Sequence, residues 1–396
     1  MFTLRPYQVE ASERAVSHFR TQENNAVIVC PTGCGKSLIV ADIAHKMGVP
    51  ILVFAPSKEL VEQNYNKMLS YGETDCSMYS ASVGVKEISK ITFATIGSVK
   101  SHIDDFKHFK YVIVDECHRC NSEEGMYLDF IQQTGCKVIG LTATPYRLVS
   151  DVTFDYRKKK VSKSVSRLVT LGNEKNPIFT EYIYNLQVSE AKDMGYLADL
   201  EYFNLPLPDL DMSKVKRNSS GTDYDEDALR KALEKANLRG CLINICNRLL
   251  NPKGRKRNGI LVFTRFVEDA EFVCNNIQGA AIVTGKTKTK ERTRIIESFR
   301  RGDIPVVINT VCLTTGFDYP DLDTVVIARP TLSLSLYYQI VGRAIRPSAN
   351  KDKAWIIDLC GSYKRFGKVE DIQFEQNLFG EWNVIANNRL VTNCVL

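Results

Sequence analysis

Residues 26–37, AVIVCPTGCGKS, combine the side chains and backbone freedom that hold a polyphosphate. Apolar, strand-like residues (Ala26 to Cys30) run into a glycine turn, and the apolar stretch LIVADIAHKM follows Lys36 and Ser37 at once. Gly33 and Gly35 let the backbone curl so that successive N–H groups face an anion, and the helix starting near Lys36 adds the positive end of its dipole. Thr32 and Cys34 complete the loop. Lys36 then reaches the β- and γ-phosphates of ATP, and the Ser37 hydroxyl is offered to Mg²⁺. The strict phosphate-loop pattern has glycine where Cys30 stands, so the match rests on the strand–turn–helix context as well as on identities. The plain alternative is a glycine-rich turn beside a buried lysine.

A second cluster of chemistry is YVIVDECHRC, residues 111–120. Four strand residues put Asp115 and Glu116 at the carboxyl end of a sheet, where open α/β folds build their sites. Asp115 suits Mg²⁺, Glu116 suits polarising an attacking water, and His118 is placed to sense a γ-phosphate. Two adjacent acids at a strand end are otherwise a solvated turn. Thr142 and Thr144, ending the strand VIGLTAT, offer hydroxyls to couple this site to a second one. Ahead of the phosphate loop, LRPYQ opens a helical pattern running to about Arg20. There Gln8 presents a bidentate amide to an adenine edge with Arg5 beside it, or the segment is a plain capped helix.

Near the other end, YYQIVGRAIRP spaces Gln339, Arg343 and Arg346 at four and three residues, which predicts one helical face. A guanidinium is permanently charged and forked, which suits a γ-phosphate gaining charge in a transition state. Pro347 is expected to end that helix just past the second arginine.

The elements that position these groups read as alternating buried strands and helices. ILVFAPSKELVEQ (51–63) and ITFATIGSV (91–99) are strand–turn units, and after each strand Pro56, Ser57 and Lys58, or Thr95 and Ser98, lie near free N–H groups. Such places hold nucleic-acid phosphates without reading bases, or are ordinary βα loops. Five such units predict a parallel sheet covered by helices. Residues 151–168 interrupt the pattern: Arg157, Lys158, Lys159, Lys160, Lys163 and Arg167 follow Phe154 and Tyr156, either as a solvated loop or as a hairpin touching nucleic acid. The polar run KRNSSGTDYDED (216–227) places the boundary between lobes near 200–225.

Bulk properties fit this picture. At 396 residues, 44% hydrophobic and 25% charged, the chain is an ordinary globular protein of two or three domains. Its formal charge of +6 permits a polyanionic partner without demonstrating one. No apolar run approaches the ~20 residues of a membrane span, and the N-terminus lacks a secretory core, so a cytoplasmic protein is expected. Twelve cysteines sit mostly in apolar runs, and the CxxC of Cys117 and Cys120 has no second pair to complete a zinc site.

PTGCGKS, DECH and TAT, in this order and spacing, resemble superfamily 2 helicases of the DEAD/DEAH-like group. A second lobe must then follow, and ILVFTRFVEDAEFV (260–273), VVINTVCLTTGFDYPDLDTVVIA (306–328) and the QxxGRxxR of 339–346 match the family's later motifs. LRPYQ, DECHR, LTATPYR, LTTGFD and YYQIVGR are most similar to bacterial RadD-type repair helicases and their phage relatives, lacking the zinc segment with which those usually continue. The resemblance implies an α/β fold of two tandem RecA-like parallel-sheet domains: residues 1–205 with a basic insertion at about 151–180, residues 206–361, and a tail 362–396 that carries Trp382 and no motif. It implies ATP and Mg²⁺ held in a cleft by the first lobe, Gly316 and Asp318 joining the nucleotide site, and Arg343 and Arg346 as arginine fingers. It also implies nucleic-acid contacts at Arg265, Thr284, Gly285, Thr314 and Thr315.

The expected function is an ATP-driven helicase or translocase on nucleic acid, DNA rather than RNA, in repair, recombination or replication. A monomer is expected, with repair or single-strand-binding proteins as partners. A duplex translocase that remodels without unwinding, and an RNA helicase, are the alternatives, while a scaffold with a decayed site is disfavoured because each catalytic residue type is present.

Overall fold

A computed structural model describes residues 3–155, 160–251, 253 and 256–394, with side chains of 151–165 left aside. Residues 156–159, the centre of the basic segment, fall outside that description. Among the described residues no helix is long and apolar enough to cross a membrane. All twelve cysteines are free thiols.

The chain folds as two compact units. The first takes Met1–Arg147, Val169–Gln187 and Glu375–Trp382, and the second takes Leu148–Leu168, Val188–Phe374 and Asn383–Leu396.

In the first unit the strands are β1 (Ala26–Val29), β2 (Ile51–Phe54), β3 (Cys76–Ser80), β4 (Val85–Lys86), β5 (Ile91–Ala94), β6 (Tyr111–Asp115) and β7 (Lys137–Thr142). After them β8 (Tyr146–Asp155) and β9 (Lys160–Thr170) pair with each other, and β10 (Glu181–Asn185) returns to the main sheet. The sheet order is β10-β1-β7-β6-β2-β5-β3-β4, parallel except where β4 turns back on β3. β1, β2 and β5 are buried at every position, because helices cover both faces of a parallel sheet and no alternation with solvent is needed. The covering helices include α1 (Pro6–Thr21), α2 (Lys36–Met47), α3 (Lys58–Leu69), α4 (Ile96–Val99) and α5 (Met126–Thr134). α2 is nearly all buried, and its one interior acid, Asp42, is matched by Lys46 Nζ at 2.8 Å and by the Ser12 hydroxyl.

This order decides where the chemistry meets. β7 lies between β1 and β6, so the phosphate loop, the Thr142–Thr144 stretch and the Asp115–Glu116 pair leave the sheet side by side at its carboxyl edge. The packing beneath them is tight at Gly140 of β7. A Cβ there would come within 2.5 Å of Cys117 Sγ, 2.6 Å of its Cβ and 3.0 Å of Phe179 Cε1. Gly140→Ala is therefore expected to lower stability by about 1–3 kcal/mol and to displace the turn that follows Glu116. The denaturation midpoint in urea, at unchanged slope, checks this; a wild-type midpoint would show that Cys117 yields freely.

The second unit takes most of the β8–β9 pair, resumes with α6 (Val188–Asp193) and β11 (Asp199–Asn204), continues through α7 (Glu226–Lys235) and α8 (Leu238–Leu250), and then alternates. Its alternating part is β12 (Ile260–Thr264), α9 (Val267–Asn275), β13 (Ala280–Val283), α10 (Thr289–Arg301), β14 (Val306–Asn309), β15 (Thr324–Ala328), α11 (Leu334–Val341) and β16 (Lys353–Asp358). The six strands form one parallel sheet, ordered β11-β16-β15-β12-β14-β13.

Two sequence expectations change here. The boundary lies before Val188 rather than near 200–225, because β11 pairs along its whole length with β16 of the second sheet. The tail is not a separate appendage either. Its α12 (Ser362–Phe366) packs into the second unit, where Tyr337 Oη donates to Gly367 O at 2.8 Å, while Glu375–Trp382 returns to the first unit.

Candidate active site

The phosphate loop is shaped by two left-handed glycines, Gly33 (φ 90°) and Gly35 (φ 72°), the latter capping α2. The loop carbonyl of Cys34 is held from α1 by Tyr7 Oη at 2.7 Å and by Gln8 Nε2 at 2.9 Å. Glycine is required at position 35 by φ, and a Cβ would also meet Gln8 Nε2 at 2.7 Å and push that amide off the Cys34 carbonyl. Gln8 Oε1 meanwhile accepts from Arg5 N at 2.9 Å, and Gln8 is 2% exposed. One end of its amide thus braces the loop and the other caps α1, rather than facing outward to a base as read from sequence. Thr32, Gly33 and Gly35 are half-buried, and Cys30 is a fully buried core thiol, which explains why the departure from glycine is accommodated.

Lys36 Nζ lies 3.7 Å from Glu116 Oε1, with both side chains largely buried. Glu116 is held at φ 54°, a left-handed conformation uncommon for a residue with a side chain and one that concentrates at functional sites. Its N–H donates to Asp115 Oδ1 at 3.0 Å, and Asn64 Nδ2 donates to Asp115 Oδ2 at 3.3 Å. Burial, then the Glu116 charge, push the Asp115 carboxyl up to about 6 against the opposing pull of Lys36. A cation is therefore strongly favoured beside it. Ser37 Oγ accepts from Gln63 Nε2 at 3.1 Å. Hydroxyl and carboxylate oxygens of Ser37 and Asp115 make a hard donor set, the kind that suits Mg²⁺ beside a phosphate loop. Gln63 and Asn64, both on α3, were missed in the sequence. Their only signal was a Gln-Asn pair on the helix following a strand-end loop.

His118 Nδ1 is 2.9 Å from Thr142 Oγ1 and 3.4 Å from Glu116 Oε2. Burial lowers its pKa, so the imidazole is neutral near pH 7 and the contact with Glu116 is not an ion pair. Thr142 Oγ1 also accepts from Thr144 N at 3.0 Å, which leaves the Thr142 hydroxyl free to donate to His118. This chain of contacts links Glu116 to the β7 loop.

In the second unit Gly316 (φ 70°), Asp318, Gln339, Arg343 and Arg346 come together. Arg346 Nη1 pairs with Asp318 Oδ1 at 2.5 Å; Arg343 Nη1 donates to Phe317 O at 2.8 Å and its Nε to Gln339 O at 3.2 Å. The expectation of one helical face for the three motif residues is not met. α11 ends at Val341, and Arg343 and Arg346 lie in the turn beyond it, because the residue before Pro347 disfavours the α region and the chain leaves the helix at Gly342. They converge through that turn instead.

The expected nucleic-acid residues are mostly occupied locally. Ser57 caps α3 by accepting from Leu60 N at 3.4 Å, Lys58 pairs with Glu62 at 3.6 Å, and Pro56 is half-buried at the loop. Thr95 Oγ1 and Ser98 Oγ are 2.9 Å apart, and Ser98 Oγ accepts from Ala81 N. Thr314 Oγ1 donates to Val311 O at 2.7 Å beside half-buried Thr315, and Thr284 Oγ1 accepts from Lys286 N next to an open Gly285. Arg265 departs from its expected role: it is bound to Asp223 at 2.8 Å and Glu226 at 3.2 Å, so its charge is largely spent within the unit.

Two family models match the chain, the res subunit of type III restriction enzymes over residues 1–147 and the helicase conserved C-terminal domain over residues 241–348. The two matched domains, with the helicase and translocase relatives, support a superfamily 2 helicase. Its similarity to a 51.5 kDa protein of a Lactococcus phage is 26% identity over 84% of this chain and 65% of that protein. Against a Sulfurisphaera tokodaii protein named DNA 3'-5' translocase XPB2 it is 25% over 88% of this chain and 79% of the other. The chain thus spans less than two thirds of the phage relative. Among solved structures, the type ISP restriction-modification enzyme LlaBIII bound to DNA superposes with a TM-score of 0.64 at 17% identity, over 91% of this chain and 28% of that one. Both sheets are RecA-like, in tandem, as superfamily 2 requires.

Proposed function

We propose that the chain is an ATP-driven motor on nucleic acid, and that DNA rather than RNA is its track. The observation that carries this is the grouping at one sheet edge of a glycine-shaped helix N-terminus, Lys36, Ser37, Asp115 and Glu116. The loop N–H groups and Lys36 bind the triphosphate. Mg²⁺, when held by Ser37 and Asp115, supplies charge neutralisation to the β- and γ-oxygens. Lys36 then leaves Glu116 for phosphate, which frees the carboxylate to orient water and take its proton. On the second unit, Arg343 and Arg346 are two forked guanidinium groups that would give up their present partners, Phe317 O and Asp318, to a phosphate gaining charge. The His118–Thr142–Thr144 contacts carry the change to the loops that grip the backbone. The gripping loops touch phosphates, so sequence is not read. A role in repair, recombination or replication is part of this proposal.

A second reading, translocation on duplex without strand separation, draws on the name of the XPB2 relative. One experiment separates these. ATP turnover is measured with single-stranded DNA, duplex DNA and RNA side by side, followed by strand displacement on a forked duplex. Stimulation by single strands with displacement supports the helicase; stimulation by duplex without displacement supports the translocase. Greatest stimulation by RNA reverses the choice of track, and no stimulation by any polymer refutes the motor.

A further inference from the structure

Residues 377–381 form a tight turn in the part of the tail that belongs to the first unit. At its tip Leu378 and Phe379 are 102% and 89% exposed, more than any other large apolar side chain among the described residues. The turn is stiff. Asn377 Oδ1 accepts from the N–H groups of Phe379 and Glu381, both at 2.9 Å, and its Nδ2 donates to Glu381 at 3.0 Å. Gln376 Nε2 donates to Gly380 O at 2.7 Å. The root is fixed too: the Trp382 ring lies 4.6 Å from that of Tyr182, and its carbonyl accepts from Asn173 Nδ2 at 3.0 Å. Two apolar groups held out in water by a preorganised turn lose little entropy on binding, which is the signature of a contact surface.

The stretch of chain that carries the tip is acidic, which favours a protein surface over a polyanion. Between residues 369 and 388 the sequence carries Glu370, Asp371, Glu375 and Glu381 and no lysine or arginine. The anchoring Tyr182 pairs with Val27, in the half of the strands away from the phosphate loop. The occupant is therefore a protein surface.

The same unit supplies a matching hollow. A cavity of about 640 Å³ carries an apolar patch of Leu128, Ile131, Pro177 and Ile178 within a polar rim, with Lys175 and Glu123 as its charged side chains. One short loop joins knob and hollow, since Asn173 holds the root of the turn while Lys175 to Thr180 line the cavity. A knob and a hole tied to the same short loop can complement each other across a two-fold axis. Lys175 meets the acids that flank the turn.

We propose that two copies of this chain pair through this surface, Leu378 and Phe379 of each seated against Leu128, Ile131 and Ile178 of the other. Sedimentation velocity of the full chain without nucleotide, from about 1 to 100 μM, is expected to show a monomer–dimer equilibrium, against the monomer expected from sequence. Phe379→Ser and Leu128→Glu, each at an exposed or half-exposed position, are each expected to weaken it at least about thirtyfold with unchanged thermal unfolding. An equimolar mixture of the two has one intact turn and one intact hollow per pair, so a weaker mixed dimer returns. A wild type monomeric throughout, a Phe379→Ser variant that pairs normally, or a mixture no better than its parts overturns the proposal. Reduced polynucleotide binding by Phe379→Ser in a monomeric protein would also overturn it, and would give the turn to nucleic acid. Because association is read without ATP or polymer, its failure is distinct from failure of the motor reading.

Discussion

Glu116→Gln is expected to lower ATP turnover by about 10²–10⁴-fold with nucleotide binding retained. Gln keeps the length and most of the contacts of Glu, but it neither takes a proton from water nor carries the charge that orients it. The wild-type carboxylate is placed for this work, with one oxygen 3.7 Å from Lys36 Nζ and the other 3.4 Å from His118 Nδ1. It is also held in a left-handed backbone conformation that packing alone would not select. Lys36→Ala is expected to abolish turnover by another route, through lost affinity for the triphosphate. Steady-state phosphate release together with binding of a fluorescent nucleotide distinguishes the two. Turnover within tenfold of wild type in Glu116→Gln would remove Glu116 from the chemistry.

Asp115→Asn is expected to abolish turnover and to stabilise the nucleotide-free protein at neutral pH. Asp115 is 3% exposed, and its carboxyl is pushed up to about 6 by burial and by Glu116. A carboxyl whose folded pKa exceeds its unfolded value binds more protons in the folded state between pH 4 and pH 6. Stability from this group therefore falls as pH rises through that window, and the penalty is full above it. At pH 7.5 the penalty is on the order of 1–3 kcal/mol. Asparagine removes the charge, and the Asn64 Oδ1 atom, which has no hydrogen-bond partner, is available to accept from the new amide after a flip. Thermal unfolding from pH 5 to 8 in chelator reads this directly. The variant should melt several degrees higher at pH 7.5 and show a flatter pH profile, and added Mg²⁺–ATP should raise only the wild type. A variant less stable than wild type at every pH would mean that the Asp115 hydrogen bonds outweigh its buried charge.

The nucleotide half of the site was legible because its geometry is local. Gly33, Gly35, Lys36 and Ser37 are fixed by φ and by adjacency to a helix start, and Asp115–Glu116 by the end of an apolar strand. What the sequence could not show depended on non-local pairing. The insertion of β7 between β1 and β6, the α3 contacts from Gln63 and Asn64, and the allegiance of Asp199–Asn204 to the second sheet all require knowing which strands are neighbours. The helix end at Val341 was misplaced for a different reason. Spacing was read as a periodic face, although Gly342 and the residue before Pro347 both favour leaving the helix. At Gln8 the sequence pointed to the amide but not to its partner in the loop, Cys34 O, because that contact joins α1 to a loop 26 residues away.

The position of β1 between β7 and β10 has a consequence for how the protein is made. The strand leading to the phosphate loop leaves the ribosome early, yet its partner Glu181–Asn185 is synthesised only after the β8–β9 excursion. At ~5–20 residues per second this delay is on the order of ten seconds. Both edges of the fully apolar run AVIV stay open until Lys137–Thr142 emerges, and one stays open from then until Glu181–Asn185 arrives. The interval before Tyr182 emerges is thus the period when a trigger-type chaperone, or slowed translation, would do most to keep nascent chains on the same polysome from pairing with one another.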